Sequence, residues 1–436
     1  MPLQKLTAIS CAALVLALNF TFTAPSARAA TISFVGVEPG TSGSGFATQN
    51  WSNSGVAKEY DLSGNVYGTA GYYQIRPIAY PSSTTIYTSA SAGNDLGTSA
   101  GSNPTLYSAP VFLSSITGGA GDYVNFTNYA IFRGPDGSAL YTQGGLSVPV
   151  NQGPFNTPSG GNSGYFGSAF SFTMGSSMGA SFRIGVAVDT VVDGTYAPDY
   201  VSIFNSGTGS VYSTQLTRNG SPDMAVFDVT AAAGDSFSTG LWQLTNTQSA
   251  AAFGLITFDV SSYNLDVASG AQTNSSVLGG AAAGLLKTGA GTTVLTSVST
   301  YQGGTTISNG AVELGGSGQL ASGSYSGAVS VATNSSLRVN SSANQTLSGA
   351  ISGSGSLVKS SNGTLTLSGS NSHSGGTTIS GGRVLATSAN ALGDSSAAVT
   401  VSGGAYLDLR TNMTRTGAVT FNGGYMVNDN GAPSSM

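Results

Sequence analysis

From Thr31 to Val260 the chain runs in short apolar-polar alternations, interrupted every few residues by Gly, Pro, Asn or Ser. In Phe182-Arg183-Ile184-Gly185-Val186-Ala187-Val188 the large apolar residues occupy every second position. A period of two places them on one face of a strand and leaves the other face for small or polar groups. Similar runs at 123–133, 200–204, 225–230 and 253–260 predict further strands. Asp136-Gly137 and Asn219-Gly220 supply turn dipeptides that tolerate positive φ. No convincing amphipathic helix interrupts the pattern. The reading is an all-β protein whose residues 30–267 form a jelly-roll-like β-sandwich, with a barrel giving the same one-dimensional pattern.

The grammar changes after about Gln272, where the chain repeats itself. Gly303-Gly304-Thr305-Thr306-Ile307-Ser308 returns as Gly375-Gly376-Thr377-Thr378-Ile379-Ser380, a shift of 375 − 303 = 72. The same shift carries Lys287 to Lys359, Leu295 to Leu367 and Val312 to Val384; at a shift of 70, Ala328-Val329-Ser330-Val331 matches Ala398-Val399-Thr400-Val401. A third copy begins near Gly417. In-register repetition of short strands and Gly or Asn-Gly corners predicts stacking, here a right-handed parallel β-helix over 268–436. Leu365 and Leu367 should face inward, with Thr364 and Thr366 outward. At about 20–25 residues per coil, a unit of about 72 holds three coils, and the region about seven, rising roughly 34 Å.

Leu357-Val358-Lys359, Gly363-Thr364-Leu365-Thr366-Leu367-Ser368-Gly369, Asn371 and Gly375-Gly376-Thr377-Thr378-Ile379 together resemble the autotransporter-associated β-strand repeat, also called the passenger-associated transport repeat. The earlier copy, from Leu286-Lys287-Thr288-Gly289 through Tyr301 to Ile307, resembles it too. The resemblance covers about residues 272–436. It implies a β-helical stem of a bacterial protein exported to the cell surface, the outer membrane or the medium. Members of that family end in a membrane β-barrel; no run of about ten-residue amphipathic strands is seen after the repeats here. The region before the repeats is only loosely similar to β-sandwich domains of bacterial surface proteins.

The leader and the composition agree with export. Lys5, an apolar stretch from Leu6 to Phe22 and Ala27-Arg28-Ala29 form a secretory signal pattern over 1–29, with cleavage expected between Ala29 and Ala30. Cys11 departs with that leader, so no disulfide is expected in the mature chain. Only 7% of the residues are charged and the net charge is -5. That balance offers no basic patch for nucleic acid. No later segment has the length and apolarity of a transmembrane helix.

Candidate chemistry is sparse. His373, the single histidine, occupies the slot of Tyr301 one copy earlier and reads as a structural corner residue. One histidine and no mature cysteine leave no thiol catalysis and no multi-histidine metal cluster. Glu313, Asp394, Asp408 and Asp429 are the acids after Gly270, and no two recur in matching positions. Lys287 and Lys359 read as solvated charges near a corner. Asp189, Asp193 and Asp199 lie along one loop between predicted strands, and Asp223 and Asp228 flank another strand. Loop carboxylates suit calcium, so a structural Ca²⁺ at Asp189, Asp193 and Asp199 is the one cofactor expectation, beside ordinary turn chemistry. Tyr60, Tyr67, Tyr72, Tyr73, Tyr80 and Tyr87 suit core packing or a glycan-binding surface. The functional expectation is a non-enzymatic exported protein with an adhesion or display role toward surface glycans or matrix components. The alternative is a carbohydrate-active enzyme or carbohydrate-binding protein with its site before residue 268.

Overall fold

The computed structural model describes residues 30–38, 41–42, 58–61, 71–74, 77–78, 105–108, 110–118, 122–133, 139–147, 152–156, 163–190, 200–207, 211–215, 223–243 and 251–428. These residues form strands throughout, with one short 3₁₀ turn at Ala321–Gly323. All five N-terminal runs read from alternation are strands, among them Asp122–Arg133, Gly179–Thr190 and Asp223–Ala231. The two turn dipeptides lie outside the described residues.

Two arrays hold the described N-terminal strands, antiparallel except where Lys58–Asp61 runs parallel to Asp122–Arg133. In one, Thr31–Glu38, Asp223–Ala231, Gly179–Thr190 and Ala251–Asp266 pair in that order. In the other, Ser163–Met174 lies between Gln152–Asn156 and Ser236–Gln243, which continues to Tyr200–Asn205 and Val211–Gln215. Phe182 and Phe258 of the first array meet Phe172 of the second at ring-centroid separations of 6.2 and 5.4 Å, in edge-on contacts. Phe182, Ile184, Val186 and Val188 are all buried, as their spacing predicts. Ala187 on the opposite face is buried too, and Gly185 lies so close to Met224 and Thr257 that a Cβ would fall 2.5 Å from the Met224 sulfur. The loops that would define a jelly roll run through segments outside the described residues.

The second part is a parallel β-solenoid with three faces. The first face continues from Ala251–Asp266 through Gly284–Thr288, Thr305–Ile307, Val329–Val331 and Ile351–Ser352. The second stacks eight strands, from Ala271–Asn274 to Val419–Asn422, and the third six, from Ser324–Tyr325 to Tyr425–Val427. Eight strands in one face mean eight coils, one more than the unit length suggests, and seven spacings of ~4.8 Å give a stack about 34 Å tall. Leu365 and Leu367 are fully buried while Thr364 and Thr366 are half-exposed, so the inward and outward assignments hold.

The unit does not span three coils. Following the register of the second face, Gln272 and Val419 are seven steps and 147 residues apart, an average of 21. A shift of 72 is therefore three coils and one further face. Leu285 and Lys287 sit on the first face, and their equivalents Leu357 and Lys359 on the second. Successive copies are rotated about the solenoid axis, which costs little because each face offers the same parallel-strand surroundings.

Strand Ala251–Asp266 belongs to both parts. Along its length it pairs antiparallel with Gly179–Thr190, and its last five residues pair parallel with Gly284–Thr288. Buried apolar side chains run without a break from Ile32 to Leu407. The first coil thus meets a sheet instead of water, which satisfies the edge that a solenoid otherwise leaves open.

Candidate functional site

The matching positions of the two repeats build one kind of corner twice. Lys287 follows Leu285 by two residues and so points inward, where it is fully buried. Its Nζ donates to the carbonyls of Thr288, Gly289 (2.7 Å) and Asn309 (3.3 Å). Lys359 donates to Ser360 (2.6 Å), Ser361 (2.6 Å) and Gly381 (3.5 Å). In each case two carbonyls belong to the corner just after the strand and the third to the corner one coil on, 22 residues later. These lysines are not solvated charges: each buried ammonium spends its three donors on corner carbonyls of two successive coils. Burial pushes Lys359 down to about 8; it lowers Lys287 as well, with Asp266 pulling the other way. The upper corner also needs its glycine. Gly310 and Gly382 have φ of +71° and +64°, and a Cβ would lie 2.1 Å from the Gly291 oxygen or 2.4 Å from that of Ser361.

A second brace lies on the far side of each unit. The Tyr301 hydroxyl is 2.9 Å from Thr305 Oγ1, itself 2.8 Å from the Tyr325 hydroxyl, which donates to the Gly303 carbonyl. In the later copy His373 Nε2 is 2.9 Å from Thr377 Oγ1, and Thr377 donates to the Leu392 carbonyl at 3.1 Å. The threonine oxygen is left to accept from Nε2–H. The slot shared with Tyr301 is therefore a buried brace in both copies. Burial pushes His373 down to about 4; the Ile351 carbonyl opposes this and the Arg415 charge adds to it. Arg415 repeats the lysines' device, donating to the carbonyls of Asp394 (2.9 Å), Ala397 (2.6 Å) and Gly393 (3.3 Å).

The solenoid's acids do not converge. Glu313 accepts from Asn340 Nδ2 at 3.0 Å, and Asp394 caps the backbone N–H of Ser396 at 2.8 Å. Asp408 is fully buried on the outer side of the third face, held by Arg383 and, through two bonds of 2.9 and 2.8 Å, by Arg410. Asp429 lies outside the described residues. Sequence reasoning missed the Asp408 cluster. Asp408 and Arg410, two apart on one strand, were a readable signal, whereas Arg383 sits one coil back.

In the N-terminal part Asp189 lies within strand Gly179–Thr190, and Asp193 and Asp199 fall outside the described residues. Among the described residues no three His, Cys, Asp or Glu side chains group as metal ligands. Asp223 opens strand Asp223–Ala231, and Asp228 lies inside it instead of flanking it; Asp228 pairs with Arg183 across the ladder at 2.8 and 3.1 Å. Tyr60, Tyr72 and Tyr73 lie on strands, and Tyr67, Tyr80 and Tyr87 lie outside the described residues. Ala30, half-buried against the core, immediately precedes the first strand, and Ala29 lies outside the described residues. No helix among the described residues is long and apolar enough to cross a membrane.

These corners and braces mark a modular parallel solenoid. The family model of the passenger-associated transport repeat matches residues 285–314 and 357–386. Each match covers four consecutive strands of the fold, with a corner lysine, the second-corner glycine and the Tyr or His brace inside it. No curated protein and no solved structure matches the chain.

Proposed function

We propose that this is an exported, non-enzymatic bacterial surface protein: a β-sandwich head on a right-handed β-helical passenger stem, with a role in adhesion or display. The observation that carries the reading is the coincidence of both passenger-associated transport repeats with coils of a parallel solenoid. Such a stem suits presentation, because its interior is filled by apolar rows and its buried lysines and histidine are spent on closing corners and braces. The two Trp residues, Trp51 and Trp242, and the tyrosine-rich segment precede it, and rigid aromatic side chains of that kind suit contacts with surface glycans or matrix components. A structural Ca²⁺ at Asp189, Asp193 and Asp199 would make such contacts chelator-sensitive.

Two measurements test this. Mass spectrometry of protein recovered from outside expressing bacteria should find a mature N-terminus within a couple of residues of Ala30; retention of Met1 on exported protein would count against export by this leader. Purified full chain should bind glycan arrays or whole cells without consuming polysaccharide. Turnover of a polysaccharide that disappears when one carboxylate is replaced would instead establish the enzyme reading.

A further inference from the structure

A cleft of about 300 Å³ opens where the N-terminal sheets meet the first solenoid coils. Its floor follows from strand alternation. Tyr263, Leu265, Leu285 and Lys287 point inward, so Asn264, Asp266, Leu286 and Thr288 stand on the outer face, with Asn264 beside Leu286 and Asp266 beside Thr288. Gln272, on the next strand, extends the floor. The walls are two hairpin turns, one carrying Ser176 and Ser177, the other Ala232 and Ala233. They are tied together by Gly234 N–H donating to the Gly175 carbonyl at 3.0 Å and by Met174 N–H donating to the Asp235 carbonyl at 2.8 Å. Gly179 lets them close up, since a Cβ there would lie 2.5 Å from the Ala231 oxygen. The cleft is thus built by backbone contacts before anything enters it.

Its chemistry is selective. The lining holds one carboxylate, two carboxamides and several hydroxyls around the apolar patch of Leu286 and the alanines. No cationic side chain lines it; neighbouring Lys287 is turned inward and occupied by carbonyls. Phosphates, nucleotides and uronates therefore find no counter-charge. Asn264 is engaged by Ser262 and Ser181, which fixes its orientation, whereas the exposed Asp266 carboxylate, which feels the Lys287 charge, and the half-exposed Gln272 amide make no side-chain hydrogen bond among the described residues. A carboxylate and an amide lining one cleft supply the acceptors and donors that sugar hydroxyls need, and an aliphatic patch suits the C–H face of a pyranose. At the small end of ligand sites, the volume holds a terminal sugar and little more.

We propose that this cleft binds a neutral sugar residue at the end of a glycan, with Asp266 and Gln272 as its principal hydrogen-bonding groups. This deepens the adhesion reading and rests on it for its biological role. The test uses the full chain, with methyl α-glucoside, methyl α-mannoside and methyl β-galactoside as probes, followed by calorimetry and saturation-transfer NMR. At least one glycoside should bind. Asp266→Ala and Gln272→Ala should each weaken it by about tenfold or more, the loss of a charged or neutral hydrogen bond, while thermal unfolding shows both variants folded. Binding unaffected by both variants would overturn the location, and binding of calcium chloride or putrescine but of no glycoside would overturn the ligand class. Attachment to cells measured in parallel separates the two proposals. Attachment without any glycoside binding overturns the cleft and spares adhesion. Glycoside binding without attachment does the reverse.

Discussion

Leu367→Asp is expected to destabilise the solenoid by about 4 kcal/mol or more, and Thr366→Asp by no more than about 0.5 kcal/mol. Leu367 is fully buried on the third face, stacked between Leu347 below and Ala386 above. A carboxylate there loses the leucine's packing and lies without a counter-charge among the aliphatic rows of neighbouring coils. Thr366, one residue away, points outward and can exchange its hydroxyl for a hydrated carboxylate. Urea denaturation of both variants checks the pair, and equal losses would refute the inside–outside assignment. The contrast between adjacent residues matters more than either value, because only strand alternation in a coil with a dry interior produces it.

That alternation explains what could be read beforehand. Each rule that worked concerns a few neighbouring residues: every second residue inward in Thr364–Leu367, a turn at Asn309-Gly310, strands wherever Val, Ile and Phe alternate. What escaped depends on residues one coil apart. By position Lys287 is as inward as Leu285, yet its charge argued for solvent, because the Asn309 carbonyl that helps hold it lies 22 residues ahead. Arg383 meets Asp408 across 25 residues, a distance that means contact only once the coil length is known. The rotation of the repeat was hidden for the same reason. A shift of 72 measures chain length, and it becomes an angle only when divided by a 21-residue coil.

The cleft was harder still to foresee. Asn264, Asp266 and Gln272 look like ordinary strand-end polar residues, and Ser176 and Ser177 like an ordinary turn. They converge because strand Ala251–Asp266 serves both the antiparallel array and the solenoid, so two hairpins overhang the first coils. Strand periodicity along residues 251–266 shows the strand but gives no sign that its last five residues take a parallel partner on the other edge.

The solenoid should lose stability in acid well before its carboxylates protonate, and His373 is the cause. Its ring is fully buried, and burial holds the pKa near 4 against about 6.5 in the unfolded chain. Between those values the unfolded state binds a proton that the folded state refuses, so the neutral brace contributes its full share above about pH 6.5 and loses it as the pH falls toward 4. A difference of about 2.5 units corresponds to about 3 kcal/mol. Arg415 sharpens the effect, because a protonated imidazole would face a guanidinium already fixed on the carbonyls of Asp394 and Ala397. The Asp394 carboxyl, held below its ordinary value by hydrogen bonds from Ser396, adds its own loss only below this window. His373→Gln keeps a donor for Thr377 but cannot titrate. It should cost stability at neutral pH through imperfect packing and yet lose much less than the parent chain between pH 6.5 and 4. Urea midpoints at half-unit intervals would show this as two curves that converge in acid. Parallel curves would mean that the brace is not what acid breaks.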